Sequence, residues 1–274
     1  MRTIAKKEFA DNVRNRWILA LIGVFIVLTL VSSFLASGKS GGNALGNMED
    51  TVVTLVGLSS LLLPLISIML GYTTISGEAE SGALHVVLAY PVSRAEVLLG
   101  KILGLGSVLV VSIVAGFGIA GLVIAATAGT QNALPYLAFM GLTVLLGMLY
   151  LSLSVCFSSL CTKRVTSLGA GVITFFWSLI IGSIAMGIYL TQGGSIQALM
   201  SGGADLGWFW SYLLLSPMDM NQVSIMKAFG MTTVFGFSVE SPAWMSLGLL
   251  VGVQLLWTLV PMVLSYYFIK KRDF

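Results

Sequence analysis

Charge is what this sequence has least of. Only 9% of its 274 residues are Asp, Glu, Lys or Arg, while 57% are hydrophobic and the mean hydropathy is +0.98. Soluble domains carry roughly 25% charged residues, so this composition cannot supply a water-soluble surface. Histidine is nearly missing too; His85 is the only one. The two cysteines, Cys156 and Cys161, stand five apart, about 140° around a helix. That spacing matches neither a zinc site nor a redox pair, and both read as small buried residues near a helix end. There is no G-x-x-x-x-G-K-[ST] phosphate cradle, so the chain does not bind ATP in that way itself. The net charge of +3 is modest, and no nucleic-acid partner is expected.

What is abundant is long apolar runs. Six segments reach spanning length, roughly 17–36, 51–75, 102–126, 135–160, 165–191 and 244–269, and none contains Asp, Glu, Lys, Arg or His. About twenty helical residues cross a hydrocarbon core of ~30 Å. The expected fold is therefore an all-α integral membrane protein with six transmembrane helices. It forms a single domain over 1–274 with no soluble module or internal repeat. Pro64 and Pro261 fall inside the second and sixth spans and are expected to kink them.

Cations sort to one side. Arg2, Lys6, Lys7, Arg14, Arg16, Arg94, Lys101, Lys163, Arg164, Lys270, Lys271 and Arg272 share one set of connections, and only Lys39 and Lys227 fall on the other. Such a bias marks the cytoplasmic face. With an even number of spans, both termini lie there.

Residues 1–16 read as an interfacial helix. Ala5, Phe9, Ala10, Val13 and Trp17 fall on one arc; Lys7, Glu8, Asp11, Arg14 and Asn15 fall on the other. The run that follows is too long for a signal-peptide core. On the outer side, Asp50 is placed to cap the second span. Residues 192–243 form the longest connection. Its apolar run Leu206–Ser216 is too short to cross, and Trp208, Trp210 and Tyr212 are types that settle at headgroup level. An amphipathic run begins at Pro217 and includes Asp219, and Ser241-Pro242 is expected to open the last helix. One or two short helices are expected here, lying on or dipping into the outer leaflet. Met200, Met218, Met220, Met226 and Met231 gather in the same connection. Thioethers suit Cu(I), but they equally fit the apolar face of a short helix, and no His or Cys joins them. Packing is the favoured reading.

The glycines of Gly100-x-x-x-Gly104 and of Ala115–Gly121 allow helix backbones to approach closely, more readily within one chain than at a dimer seam.

Ion-coupled carriers keep ionisable groups within their spans because proton or ion work needs them; these spans hold none, and Gln254 is the main buried amide. An intramembrane protease would need a Ser–His pair or paired aspartates at membrane depth. With His85 in a connection and no carboxylate in any span, that class is disfavoured. Energy for any work must come from outside the bilayer.

The polar stretch Ser76–Lys101 is where it can enter. It carries Glu78, Glu80, His85, Arg94, Glu96 and Lys101 between two apolar segments. Pro91 ends any helix, and Ser93 with Glu96 three residues on has the spacing of a capping box. The expectation is helix, break, helix at the membrane surface: a docking piece for a soluble motor, or simply a solvated loop.

Residues Glu78, Glu80, Gly82 and Leu84, followed by Pro91, Val92, Ser93, Arg94, Glu96, Gly100 and Lys101, resemble the signature of ABC-2 type permeases. Lys7, Glu8 and Phe9, with Arg14, Arg16 and Trp17, resemble that family's interfacial elbow. Within the family, the length, the outer loop and Leu215-Ser216-Pro217 are similar to the permeases of the Nos system, which serves maturation of the copper sites of periplasmic nitrous oxide reductase. This resemblance implies a non-catalytic multi-pass subunit of the bacterial inner membrane that binds no cofactor. It implies a second copy of the chain and two cytoplasmic ATPases that hold ATP and Mg. It also implies a periplasmic partner of the β-helix type on the outer loop, for which Trp208, Trp210, Pro217 and Asp219 are the candidate contacts. By the same resemblance 76–101 is the ATPase-coupling region. Cargo is not transferable from the motif, since the family moves drugs, lipids, polysaccharides and ions.

Overall fold

The computed structural model describes residues 2–14, 17–40, 48–82, 93–129, 133–197, 208–230, 233–234, 237–238 and 244–271. Leu84, His85 and Pro91 lie outside the described residues, as do Arg16, Met200, Met231 and the Ser241-Pro242 pair. The side chain of Trp17 is likewise outside them.

Nearly everything described is helix. The elbow α1 spans Arg2–Arg14, and α2 spans Trp17–Ser40. Helix α3 covers Met48–Gly71, and a short α4 covers Ser76–Glu80. Helix α5 runs Arg94–Ala128, α6 Ala133–Leu160 and α7 Arg164–Thr191. A 3-10 segment at Phe209–Leu215 precedes α8, Pro217–Ala228. Helix α9 spans Leu247–Lys271. The exception is a two-residue antiparallel ladder, β1 (Thr233–Val234) with β2 (Phe237–Ser238), in the outer connection.

Among the described residues, five helical stretches are long and apolar enough to cross a membrane: 55–80, 94–126, 133–160, 164–191 and 247–271. The remaining expected span, the first (17–36), corresponds to α2, whose apolar part is Leu19–Leu35. A helix of this kind satisfies its own backbone, so hydrocarbon is the solvent it suits. Helices α3 and α9 pass through Pro64 and Pro261 without a break in assignment.

Helix α6 is the hub, with 78% of its most apolar window buried against 28% for α7 and 22% for α9. It packs on α3, α5, α7, α8 and α9. Around it, Phe25, Phe117 and Phe139 stack at centroid distances of 5.0 and 5.2 Å. The glycine expectation holds within the chain. A Cβ on Gly116 would lie 2.5 Å from Phe25 Cβ, so α2 and α5 cross there in direct contact.

Two helix starts differ from the sequence reading. Helix α3 begins at Met48, which puts Asp50 in its first turn rather than at its cap. Helix α9 begins at Leu247. The Ser246 hydroxyl accepts from Leu249 N at 3.2 Å and so does the capping expected of Ser241. Helix α5 begins at Arg94, where the Ser93–Glu96 spacing expects a helix start, and runs unbroken into the expected span, so it carries Lys101 near its beginning.

Residues 208–228 take the second of the two expected courses, dipping inward rather than lying flat. Ser216 Oγ donates to Ser178 O at 3.2 Å. Ser178 is thirteen residues below the outer end of α7, about 20 Å along the helix. The 3-10 segment therefore descends, Ser216 turns the chain, and α8 returns: a re-entrant hairpin reaching mid-membrane. Irregular backbone at that depth needs partners. Trp257 Nε1 donates to Leu214 O at 3.0 Å and Trp177 Nε1 to Leu215 O at 3.2 Å. The two indoles satisfy the apex carbonyls that no helix can.

Candidate functional site

The polar residues at the basic end are pulled together by long-range bonds. Lys101 sits on α5 with 4% of its surface exposed. Its Nζ lies 2.8 Å from Glu8 Oε1 of α1 and 2.7 Å from Glu78 Oε1 of α4. One buried ammonium therefore joins the elbow, the short connecting helix and a spanning helix. Glu8 reaches it because α1 lies directly on α5. A Cβ on Gly104 would come 2.6 Å from Glu8 Cβ and 2.9 Å from Ala5 O. The sequence analysis puts Glu8 on the solvent arc; it faces inward because an ion pair outweighs the apolar periodicity of a thirteen-residue surface helix. Phe9 packs against the main core, while Lys7 and Arg14 are exposed.

Glu80 is tied separately. Its Oε2 accepts from the Arg164 backbone N–H at 3.0 Å and from Arg164 Nε at 3.2 Å, at the start of α7. The Arg164 backbone N–H holds the Glu80 carboxyl below its ordinary range against an opposing desolvation, and the guanidinium bond and charge add to it. The capping box forms as spaced: Glu96 N donates to Ser93 Oγ at 3.2 Å, and Ser93 N donates to Glu96 Oε2 at 3.0 Å. The Ser93 N–H, and then the Ser93 hydroxyl donating to the same Oε2 at 3.0 Å, hold the Glu96 carboxyl low. Arg94 reaches the end of the last helix, donating to Ile269 O at 2.7 Å and Lys270 O at 3.0 Å. These are C-terminal carbonyls with no helical partner, at the negative end of the helix dipole. Gly82 adopts φ 75, left-handed backbone suited to glycine, just past α4.

Serines of α6 complete the anchoring. Ser158 Oγ accepts from Ile75 N and Ser76 N, both at 2.9 Å, and Ser154 Oγ donates to Ile68 O at 2.9 Å. Neither serine stands out from the sequence as a functional residue. Their signal was a serine repeat four apart at the end of an otherwise apolar helix. Thus α4 is bonded to α5, α6 and α7, and shares the Lys101 ammonium with α1.

The hairpin is the second polar cluster. Asn221 Nδ2 donates to Leu142 O at 2.8 Å and to Gln254 Oε1 at 3.0 Å, while Gln254 Nε2 donates to Ser224 Oγ at 3.0 Å. Gln254 is therefore the clasp between α8 and α9, and Asn221 is the partner that periodicity could not name. Trp210 and Pro217 are buried and Trp208 is exposed. Asp219 is partly buried in the first turn of α8, where its N–H donates to Ser216 Oγ at 3.3 Å. Its carboxylate approaches Gly182, whose Cβ would lie 3.1 Å from Oδ2. Asp219, in the outer connection by sequence, thus sits on the part of that connection that dips, beside the middle of α7. Met218 joins the main core, whereas Met220 and Met226 pack with Trp210 and Leu213 on another face. No group of three or more His, Cys, Asp or Glu suited to a metal occurs among the described residues.

A multi-pass helical body with a polar anchor at its basic end and a re-entrant hairpin at the other is a membrane permease domain. The chain belongs to the ABC-2 transporter family: the profile of ABC-2 family transporter proteins matches residues 2–274. It is 32% identical over 266 residues to a probable ABC transporter permease protein NosY of Pseudomonas aeruginosa, covering 92% of this chain and 94% of the relative. It is 29% identical over 276 residues to the protein of the same description in Stutzerimonas stutzeri, covering 98% and 97%. It is thus a NosY-like ABC-2 permease subunit. Membership of the family implies association with cytoplasmic ATPase subunits.

Proposed function

We propose that the chain is the non-catalytic permease half of an ATP-driven complex in the bacterial inner membrane. It works as a homodimer with two cytoplasmic ATPases that bind and hydrolyse ATP with Mg. The observation that carries this reading is the Lys101 junction with Glu8 and Glu78. A soluble motor pushing on the 76–101 connection would move an element bonded to three helices, and through Lys101 to the elbow, not a loose loop. Glu78, Glu80, Gly82, Arg94 and Glu96, with Leu84 and Pro91 beyond the described residues, form the coupling region in this reading.

The likeness to two NosY proteins supports a finer role: maturation of the copper sites of periplasmic nitrous oxide reductase. The subunit would pass a copper- or sulfur-related cargo or transmit motion to a periplasmic β-helix partner. The hairpin favours transmission, because Gln254 and Trp257 clamp it to α9 and Trp177 clamps it to α7. Exposed Trp208 is then the best-placed outward contact.

The test is reconstitution with the ATPase. Alanine at Glu78, Glu80 and Arg94 together is expected to weaken association or uncouple hydrolysis; full coupled activity of that triple variant would remove the docking role. Leucine at Met218, Met220 and Met226 is expected to leave folding and copper-site maturation intact.

A further inference from the structure

Nothing in the sequence Tyr72–Ser76 bars a helix: it holds no proline and no glycine. The helix is nonetheless interrupted at 72–75, between α3 and α4. On either side the helical pattern is intact, with Tyr72 N donating to Ile68 O and Gly77 N to Thr73 O, both at 3.0 Å. In between, Ile75 N and Ser76 N would ordinarily donate to Gly71 O and Tyr72 O, four residues back. Both donate instead to Ser158 Oγ of α6. The Ser158 hydroxyl in turn donates to Ser76 Oγ at 3.2 Å, and Ser76 Oγ donates to Tyr72 O at 2.7 Å. Two side chains thus stand in for the missing turn. Ile75 is already right-handed, at φ -115 and ψ -48, so little backbone rotation separates the break from a helix.

The broken and joined forms are closely matched. Joining returns Ile75 N and Ser76 N to helical acceptors, so neither donor is lost. The freed Ser158 hydroxyl can turn to a carbonyl four residues back in its own helix, as Ser159 does to Val155 O at 2.9 Å. The broken form also buries two atoms without partners, Thr74 Oγ1 and Glu78 Oε2, which costs free energy. A joined helix gives Thr74 Oγ1 the Leu70 carbonyl and lifts Glu78 off Lys101. Lys101 keeps Glu8, so its charge is not stranded. Against joining stand the bonds of Glu78 to Lys101 and of Glu80 to Arg164, and the β-branched run Thr73-Thr74-Ile75, which lowers helix propensity.

We propose that residues 72–76 are a two-state hinge latched by Ser158, and that release joins α3 and α4 into one helix. Ser158 is a positioning residue: it sets the angle of α4 and touches nothing outside the chain. The hinge is a property of the chain alone; only what drives it, a push on the 76–101 connection, rests on the coupling reading.

The experiment places spin labels at Ser81→Cys and Val165→Cys, both exposed, in the full chain lacking Cys156 and Cys161. Their separation reports the distance of α4 from the start of α7. Ser158→Ala is expected to lengthen it by about 5 Å or more, half of the ~10 Å lever formed by residues 75–81. The unfolding temperature should fall by no more than about 3 °C, because both amides regain partners. A merely structural Ser158 would leave two buried amides stranded, so α4 would stay in place and the unfolding temperature would fall further; that result overturns the proposal. Should Ser158→Ala fail to fold, Ser76→Ala takes from Tyr72 O the hydroxyl that serves it only in the broken form. It is expected to lengthen the same separation, and no change there overturns the hinge. Lengthening in the chain alone supports the hinge even where reconstitution with the ATPase shows no coupling, so the two readings fail separately.

Discussion

Lys101 Nζ lies 2.7 Å from Glu78 Oε1, joining residues 23 apart in sequence on two helices separated by a break. The lysine side chain is 5% exposed and the glutamate 25%, so the pair is shielded from the screening that makes surface ion pairs weak. With Glu8 it forms a junction that fixes the 76–82 connection to the elbow.

Removing the ammonium should be costly. Lys101→Met strands two carboxylates, and breaking a buried pair typically costs about 3–5 kcal/mol; the partial exposure of both glutamates puts the expectation at the lower end. Adding Glu78→Gln to Lys101→Met should recover part of the loss. A double-mutant cycle on unfolding in detergent checks this.

Gly104→Val should lift the elbow. The new Cβ would meet Glu8 Cβ and Ala5 O well inside contact distance, and overpacking of this kind costs about 1–3 kcal/mol. In a background without Cys156 and Cys161, a cysteine at Ala5 should label faster in the Gly104→Val protein than in its parent.

The hairpin depends on its clasps. Gln254→Leu leaves Asn221 and Ser224 short of a buried partner, a loss of about 1–3 kcal/mol. Asn221→Leu combined with Gln254→Leu should cost less than the sum of the single changes. Trp257→Phe keeps the ring but removes the donor to Leu214 O. A cysteine at Ser216 should then become more reactive to an aqueous thiol reagent added from the outer side.

The Glu80–Arg164 link should respond to acid only. Its carboxyl is held below the ordinary glutamate value of about 4.3. The stability it contributes is therefore full above the unfolded value and lost as pH falls through the lower folded one. The difference in unfolding temperature between wild type and Glu80→Gln should be flat from pH 6 to 8 and vanish on acidification.

The spans, the basic face and the Ser93–Glu96 cap were legible in the sequence because each rests on neighbours within a turn or two. The cap needed residues three apart. That the helix opened by Ser93 runs on into the span was not legible; Lys101 is tolerated there because Glu8 and Glu78 neutralise it. The depth of Asp219 was left open as well. A short apolar run flanked by tryptophans fits the interface as well as it fits a re-entrant hairpin, and only donors on α7 and α9 distinguish the two.

Composition alone determined that this protein lives in a membrane, with its cations on one side. Hydrocarbon rewards long self-satisfied helices and leaves little choice about them. Which polar side chains meet was decided by tertiary structure. The bonds of Lys101 to Glu8, Asn221 to Gln254 and Trp257 to Leu214 link residues 93, 33 and 43 apart. No local rule spans such separations, because the partners become neighbours only once the helices have packed.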